Sequence, residues 1–540
     1  MVRSIRLASL LGLVVAVGCN GSTEDTDTDS TSATDSAATT GTGTDSGTSG
    51  TGTGGVDFQP IPARNITLDR VQANQAVGVD IAAGGAWVDG PDRTSYLLKD
   101  RLMLIRGFWK VDENWQPRKI QAILTITYAD GSIHEDKQTL MIEKDAFEGD
   151  LQQTFYFGLM PEQVVPGMKF EMSLWETEPG YELTADPDPL PIAPLDGPGL
   201  VGVEDSDQAL EVVIVPFHYN VGDCNTQPDT SEKTMKLFYD YMYMQDPVDR
   251  LTIHMHDPIE WDTKLDTFDQ LNSFMSGMRF DEGAGPWVFY YGLVDACANG
   301  VGGAGGKAYG IPKIPPEEGQ AYQRVSSGLS TSDIEWSAET FVHEVGHSLG
   351  RKHIDCGGAA GFDPTYPYPG GQVGEWGFGV IDYSLRHPTV NKDYMTYCHP
   401  TWVSNWAWSK VYPVIKTLTQ WSNDAGAAPY DEDVYGGSLL VGTVAPDGTS
   451  TWITVPGSLS EDELSATDTV ELMVGDEVVA SQRAKAELLP GGDSKQIVIE
   501  LPENFDAVTS FRHLGSDAEA ATFAVDEVSL HHMSRAIRAK

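Results

Sequence analysis

A chain of 540 residues with 35 Lys plus Arg against 79 Asp plus Glu carries a formal charge of −44, which excludes a surface built to hold nucleic acid or anionic lipid. Its hydrophobic share, 40%, is that of an ordinary globular protein, and no stretch after the first twenty residues approaches the ~20 apolar residues of a membrane span. At roughly 100 to 200 residues per domain, the length calls for about three domains.

At the N-terminus Arg3 and Arg6 form a basic segment, Leu7 to Val17 is an apolar run too short to cross a bilayer, and Ala16-Val17-Gly18 supplies small residues for cleavage. Cys19 follows at once. Residues 1–18 thus resemble a bacterial lipoprotein signal. The resemblance implies a lipid on Cys19, export, contact with membrane through that anchor alone, and a place on the outer membrane or cell surface rather than the inner membrane. Residues 19–55 read as a disordered linker, because Asn20 to Gly55 is almost wholly Ser, Thr, Gly, Asp and Ala, with no Lys, Arg or aromatic side chain to bury.

Residues 56–205 read as a β-sandwich. Ala122 to Tyr128 alternates, Ala129-Asp130-Gly131 signals a hairpin, Gln138 to Ile142 returns, and Phe155 to Leu159 and Lys169 to Trp175 continue the style. Five prolines between Thr184 and Leu200 (Pro187, Pro189, Pro191, Pro194 and Pro198) predict an extended spacer and a boundary. Over 206–425 the period changes. Leu210 to Val215 is a buried strand stopped by Pro216, Ser231 to Met244 a helix, Leu251 to Met255 a strand, Leu265 to Met278 a helix and Trp287 to Val294 a strand, followed by a glycine-dense stretch and a short strand at Ala308 to Ile311. His254 and His256 read as packed or solvated strand residues rather than a metal pair. Residues 426–540 are strand-rich again, with turn signals at Pro446-Asp447-Gly448 and Gly475-Asp476, and predict a second β-sandwich-like domain.

The strongest signal is His343-Glu344-Val345-Gly346-His347-Ser348-Leu349-Gly350-Arg351-Lys352-His353. On a helix, Ala338, Phe341, Val342, Val345 and Leu349 share one face, and His343 and His347, at i and i+4, project from the other at a separation one Zn²⁺ bridges. Gly350 permits the positive φ that ends a helix and lets the chain return with His353 as a third nitrogen ligand. Three protein ligands leave a position open for water, and Glu344 is placed to take a proton from it. Gly346-His347-Ser348-Leu349-Gly350 also fits the G-x-S-x-G elbow of lipases, but that elbow needs a strand before Ser348, whereas Ser337 to Val345 reads as helix with an N-cap at Ser332 or Ser337.

The eleven residues, followed by Asp393-Tyr394-Met395-Thr396-Tyr397-Cys398, resemble the metzincin clan of zinc endopeptidases. The resemblance spans Leu210 to Trp421 and implies a fold class: multidomain α+β, a metzincin-like catalytic domain between β-sandwich-like flanks. It implies one catalytic zinc on His343, His347 and His353, Glu344 as general base, Met395 as the turn methionine beneath the metal, and Tyr397 as the tyrosine that stabilises the oxyanion. Calcium is left open. Ile354 and Asp355 after the third histidine match neither adamalysins, with aspartate directly there, nor serralysins, with proline, so the subfamily stays open. Phe147-Glu148-Gly149-Asp150 matches the F-x-G-D pattern by which astacin propeptides aim an aspartate at zinc, and reads first as a polar turn. Ser404 is placed to cap a helix carrying Trp406, Trp408, Val411 and Val414, kinked by Pro413, its tryptophans in the core. His399 reads as structural.

Of five cysteines, Cys19 is assigned to lipid, leaving an even set in an exported chain. Three pairings are possible. Placement favours Cys224 with Cys297 and Cys356 with Cys398, since each pair flanks one half of the central segment. The sequence is therefore read as an exported, membrane-anchored zinc endopeptidase acting on extracellular polypeptides or glycoproteins, against the alternative of a surface binding or adhesion protein on the same scaffold. Retention of Glu344 favours the enzyme, because a binding module needs no general base.

Overall fold

The computed structural model describes residues 3–4, 58–425 and most of 437–530, excepting 447, 490–493, 503–504, 516–517 and 526–527. Apart from that first pair, the signal segment 1–18, Cys19 and the linker to residue 55 lie outside the described residues. In Arg118–Thr127 every second residue is buried, among them Ile120, Ala122, Leu124 and Ile126, while its partner Ile133–Ile142 carries His-Glu-Asp-Lys-Gln and is mostly exposed. This is the signature of a sheet with one wet face. That sheet also holds Lys169–Glu176. A second sheet runs Ala86–Trp87, Gly78–Ala83, Ile66–Asn74, Met103–Val111, Phe155–Leu159, and the two share one core.

The proline-dense stretch is not the free spacer expected. Ile192–Ala193 and Gly199–Leu200 both pair with Lys169–Glu176, and Ala193 is fully buried. Prolines are tolerated on a sheet edge, where the residues between them still supply ladder donors and the proline carbonyls still accept; Leu174 N–H donates to Pro191 C=O at 2.9 Å.

In the middle of the chain four parallel strands lie in the order Arg250–Met255, Ala209–Val221, Val288–Val294, Val325–Leu329, with Gly306–Ala308 antiparallel beside the last. Ala209–Val221 is apolar almost without alternation because both faces are covered. Val212 and Ile214 pack with helices α1 (Glu232–Gln245), α3 (Ile334–Ser348) and α4 (Asn405–Ala425), whereas Val213 and Val215 pack with α2 (Asp269–Asp281). Helix α2 starts four residues later than its apolar pattern suggests, since the hydroxyl of Thr267 takes the N–H of Asp269 and Gln270 bonds back to the preceding loop. The short strand falls at Gly306–Ala308, not Ala308–Ile311: its antiparallel ladder with Val325–Leu329 runs from Gly306 opposite Gly328 to Ala308 opposite Ser326. The cap of α3 is Asp333, which accepts from Trp336 N–H at 3.1 Å, and neither Ser332 nor Ser337.

At the C-terminal end, five strands (Lys485–Leu488, Lys495–Glu500, Ser438–Val444, Ser450–Pro456, Val528–Leu530) and four strands (Glu477–Arg483, Thr469–Val474, Ser510–Gly515, Ala518–Ala524) form two further sheets. The α+β class with a metzincin-like domain is therefore corrected. Among the described residues, 33 strands in eight sheets stand against four α-helices, a β-rich multidomain fold. The β-α alternation read from the sequence as far as Val294 goes on only through the parallel strand Val325–Leu329 and α3; the rest of the segment up to α4 holds short ladders and 3₁₀ turns.

From Pro60 on, the described residues belong to one compact unit. Leu439, Val441, Ile453, Val455 and Val498 share a core with α2, and Ala76, Val77, Leu98 and Leu104 share one with α1, α3 and α4. Arg101 secures the second join. Wholly buried, its guanidinium donates to the carbonyls of Tyr243 (2.5 Å) and Val248 (2.6 Å) and lies over the rings of Tyr243 and Trp408. It thus satisfies carbonyls left open at the end of α1. Arg101→Ala should strand these acceptors and lower the unfolding free energy by about 2–4 kcal/mol. Urea unfolding should show one transition moved as a whole to lower denaturant, and an unchanged midpoint would refute the role.

Candidate metal centre

Helix α3 carries His343 and His347 on one face and ends in a Schellman turn. Gly350 has φ +85°, its N–H donates to His347 C=O at 2.8 Å, and Arg351 N–H reaches Gly346 C=O at 3.0 Å. The reversal returns His353 to the other two. Their candidate ligand atoms all lie within 4.8 Å of one another, and among the described residues this is the one such cluster of His, Cys, Asp or Glu.

Each ring is held by its Nδ1. His343 is bonded to Tyr394 C=O, His347 to Arg351 C=O and His353 to Ala360 C=O, each at 2.7 Å. A carbonyl only accepts, so each Nδ1 carries the hydrogen and each Nε2 presents a lone pair. Nε2 of His347 and Nε2 of His353 stand 3.0 Å apart. Burial, and then the neighbouring histidine, pushes His343 down to about 3 and His347 well below the usual imidazole range, and burial lowers His353. Three neutral imidazoles with converging lone pairs are the donor set that a cation such as Zn²⁺ requires.

Beneath them lies the turn at Met395. The residue is fully buried, its C=O accepts from Ile354 N–H at 3.0 Å, and its N–H donates to the Asp393 carboxylate at 3.1 Å. The same carboxylate takes the N–H and hydroxyl of Ser404, whose Oγ in turn accepts from Ala407 N–H and caps α4. Asp393 is a site residue that sequence reasoning missed, since a lone Asp before a turn carries no distinctive spacing. Cys356 is bonded to Cys398, tying the segment after His353 to the turn, and Cys224 is bonded to Cys297. Tyr397 is about half exposed, its ring 4.9 Å from His353 and 5.8 Å from His343.

Glu344 is buried, and burial raises its carboxyl to about 8 against the lowering influence of Lys307 and of the Ala308 N–H. One of its oxygens, Oε2, has no partner among the described residues. A Cβ on Gly306 would lie 2.8 Å from Glu344 Cγ, so the edge strand passes this close only because it lacks a side chain there. A cleft of about 460 Å³ opens over the histidines, Glu344 and Tyr397, bordered by the glycine segment from Gly302 to Lys307.

Other candidates fall elsewhere. Ser348 is buried, with its hydroxyl toward Val325 C=O at 3.4 Å, and is not on the cleft. Asp150 caps a 3₁₀ turn through Gln152 N–H and Gln153 at 2.9 Å each, and also does not line the cleft. His254 pairs with Glu211 and His256 with Glu282, each at 2.7 Å. His399, expected as structural, lies with its Nδ1 3.1 Å from a Glu339 carboxylate oxygen, but does so on the cleft wall.

Residues 318–402, which include the three histidines, Glu344, Met395 and Tyr397, match Peptidase M66, a metallopeptidase family. The match supports a protease. No curated protein matches the chain. Among solved structures, a glycosyl hydrolase family 2 member from Bacteroides cellulosilyticus is 12% identical over 80% of this chain and 62% of its own, with a TM-score of 0.13. The chain thus spans less than two thirds of that structure, and a score this low carries no argument about fold or function.

Gly346 tests the packing under the site. A Cβ there would sit 2.7 Å from Met395 Sδ and 2.7 Å from Tyr394 Cε2. Although alanine favours a helix, Gly346→Ala should destabilise by about 1–3 kcal/mol through overpacking. Thermal melting checks it, and a rise in the midpoint would show that the turn yields.

Proposed function

We propose that the protein is an exported, lipid-anchored zinc endopeptidase with a metzincin-type motif, cutting extracellular polypeptides or glycoproteins. In this reading residues 1–18 are a lipoprotein signal, Cys19 is lipidated, 19–55 is a tether, 56–205 and 426–540 are β-rich accessory domains, and 206–425 carries the chemistry. The observation that carries it is the set of three anchored imidazoles with converging Nε2 lone pairs, beside a buried carboxylate, on an open cleft.

His343, His347 and His353 would hold the ion. When bound, zinc supplies Lewis acidity to the scissile carbonyl and acidifies water. Glu344, next to the first ligand, takes the proton of the attacking water on its carboxylate and passes it to the departing amine. Tyr397, at the mouth of the cleft, donates a hydrogen bond to the oxygen on which negative charge develops. The segment from Gly302 to Lys307 keeps side chains away from Glu344 and offers an extended polypeptide a backbone to lie along.

Five proteins decide this: wild type, Glu344→Ala, Tyr397→Phe, His347→Ala and Ser348→Ala, assayed on unfolded protein substrates with zinc content measured alongside. Glu344→Ala should keep zinc and lose roughly 10²- to 10⁴-fold in rate. Tyr397→Phe should lose about 10²-fold or less, His347→Ala should lose the metal, and Ser348→Ala should cut like wild type. Hydrolysis by Glu344→Ala at the wild-type rate would overturn the mechanism, and a wild type that cuts nothing in the presence of zinc would favour an adhesion protein.

A further inference from the structure

One helical turn before His343, Glu339 lies on the same face of α3 and lines the same cleft. Its carboxylate is fixed from the opposite wall. Oε1 accepts from the Thr401 hydroxyl at 2.7 Å and Oε2 is 3.1 Å from His399 Nδ1. Both partners follow directly on the Met395 turn, and Thr401 is further tied by the ladder that pairs Lys392–Asp393 with Thr401–Trp402. An ionised carboxylate accepts about four hydrogen bonds, so the one bond from Thr401 and the close approach of the His399 ring hold this one in place and leave acceptor capacity on each oxygen.

Two further observations set the sign of what this wall would bind. The indole of Trp336 lines the cleft at the start of α3, packed so closely on the glycine segment that a Cβ on Gly305 would lie 2.5 Å from its Cη2. Among the described residues Lys307 is the one Lys or Arg on the cleft, and it is already engaged: its buried ammonium is 2.9 Å from Asp269 and 2.9 Å from Ser494. The wall therefore joins a fixed carboxylate to an aromatic ring, a pairing that attracts organic cations.

We propose that Glu339, held by Thr401 and His399 and accompanied by Trp336, is a cation-binding subsite that takes an arginine or lysine side chain of the substrate. The proposal rests on the peptidase reading for its placement. One helical turn is about 5.4 Å, less than two residues of extended chain, so the basic residue falls within two positions of the scissile bond.

The test uses the full chain and two readouts. In the first, arginine amide and its neutral isostere citrulline amide are titrated against wild type, Glu339→Gln and Glu339→Asp by NMR. Arginine amide should bind wild type at least about tenfold more tightly than citrulline amide, a difference lost in Glu339→Gln and kept in Glu339→Asp. In the second, peptides bearing Arg, Lys, citrulline or Glu at each position flanking the cut are compared by kcat/KM. The Arg-to-citrulline ratio should be about ten or more at one position in wild type and fall to about one in Glu339→Gln. Cleavage with no basic preference, or with a preference for Glu, overturns the subsite and leaves the peptidase reading intact. Selective binding of arginine amide without hydrolysis of any peptide upholds the cation seat and removes the peptidase reading. If Glu339→Gln does not fold, the wild-type ratios decide alone.

Discussion

Three backbone carbonyls, those of Tyr394, Arg351 and Ala360, each take the Nδ1 hydrogen of one histidine, and the remaining structure around the site holds those carbonyls still. This constraint fixes the tautomer of every ring and turns all three Nε2 atoms inward. The Arg351 carbonyl is set by the Schellman turn at Gly350. The Tyr394 carbonyl is set by the Asp393 carboxylate, which draws Met395 N–H and Ser404 to one point. The Ala360 carbonyl belongs to the segment after Cys356, and the disulfide to Cys398 ties that segment to the turn.

The β-rich flanks are part of the same support. Arg101, from the N-terminal portion, closes the end of α1, and Ala76 C=O accepts Trp402 Nε1–H at 2.9 Å and Phe378 N–H at 3.1 Å. From the other side Ser494 joins Asp269 and Lys307, so the C-terminal portion reaches the strand that faces Glu344. Apolar cores run across both joins, so the flanks share buried packing with α3, which carries His343 and His347, and with α2.

Legibility differed by the range over which a feature is specified. The ligand helix, its closing glycine and the third histidine were readable because they follow from i, i+4 spacing and one positive φ, all within eleven residues. The strands at Phe155–Leu159 and Val288–Val294 were readable from composition. The overall class was not: the alternation in one segment drew attention to helices, whereas most of the chain is sheet. The cap of α3 at Asp333 and the delayed start of α2 were missed for a related reason, since several hydroxyls and carboxylates near a helix start compete and geometry chooses among them.

By itself the sequence singled out the residues proposed for metal-ligand and acid–base chemistry, because that choice depends on atom types at a local spacing. Only the tertiary structure decided what surrounds them. It placed Glu339, His399 and Thr401, which lie far apart along the chain or in a loop, on one wall of the cleft, and it engaged Lys307 with Asp269 and Ser494, leaving the carboxylate to set the charge of that wall. No local pattern encodes such meetings, since they depend on where helix, turn and sheet edge are held by the cores beneath them.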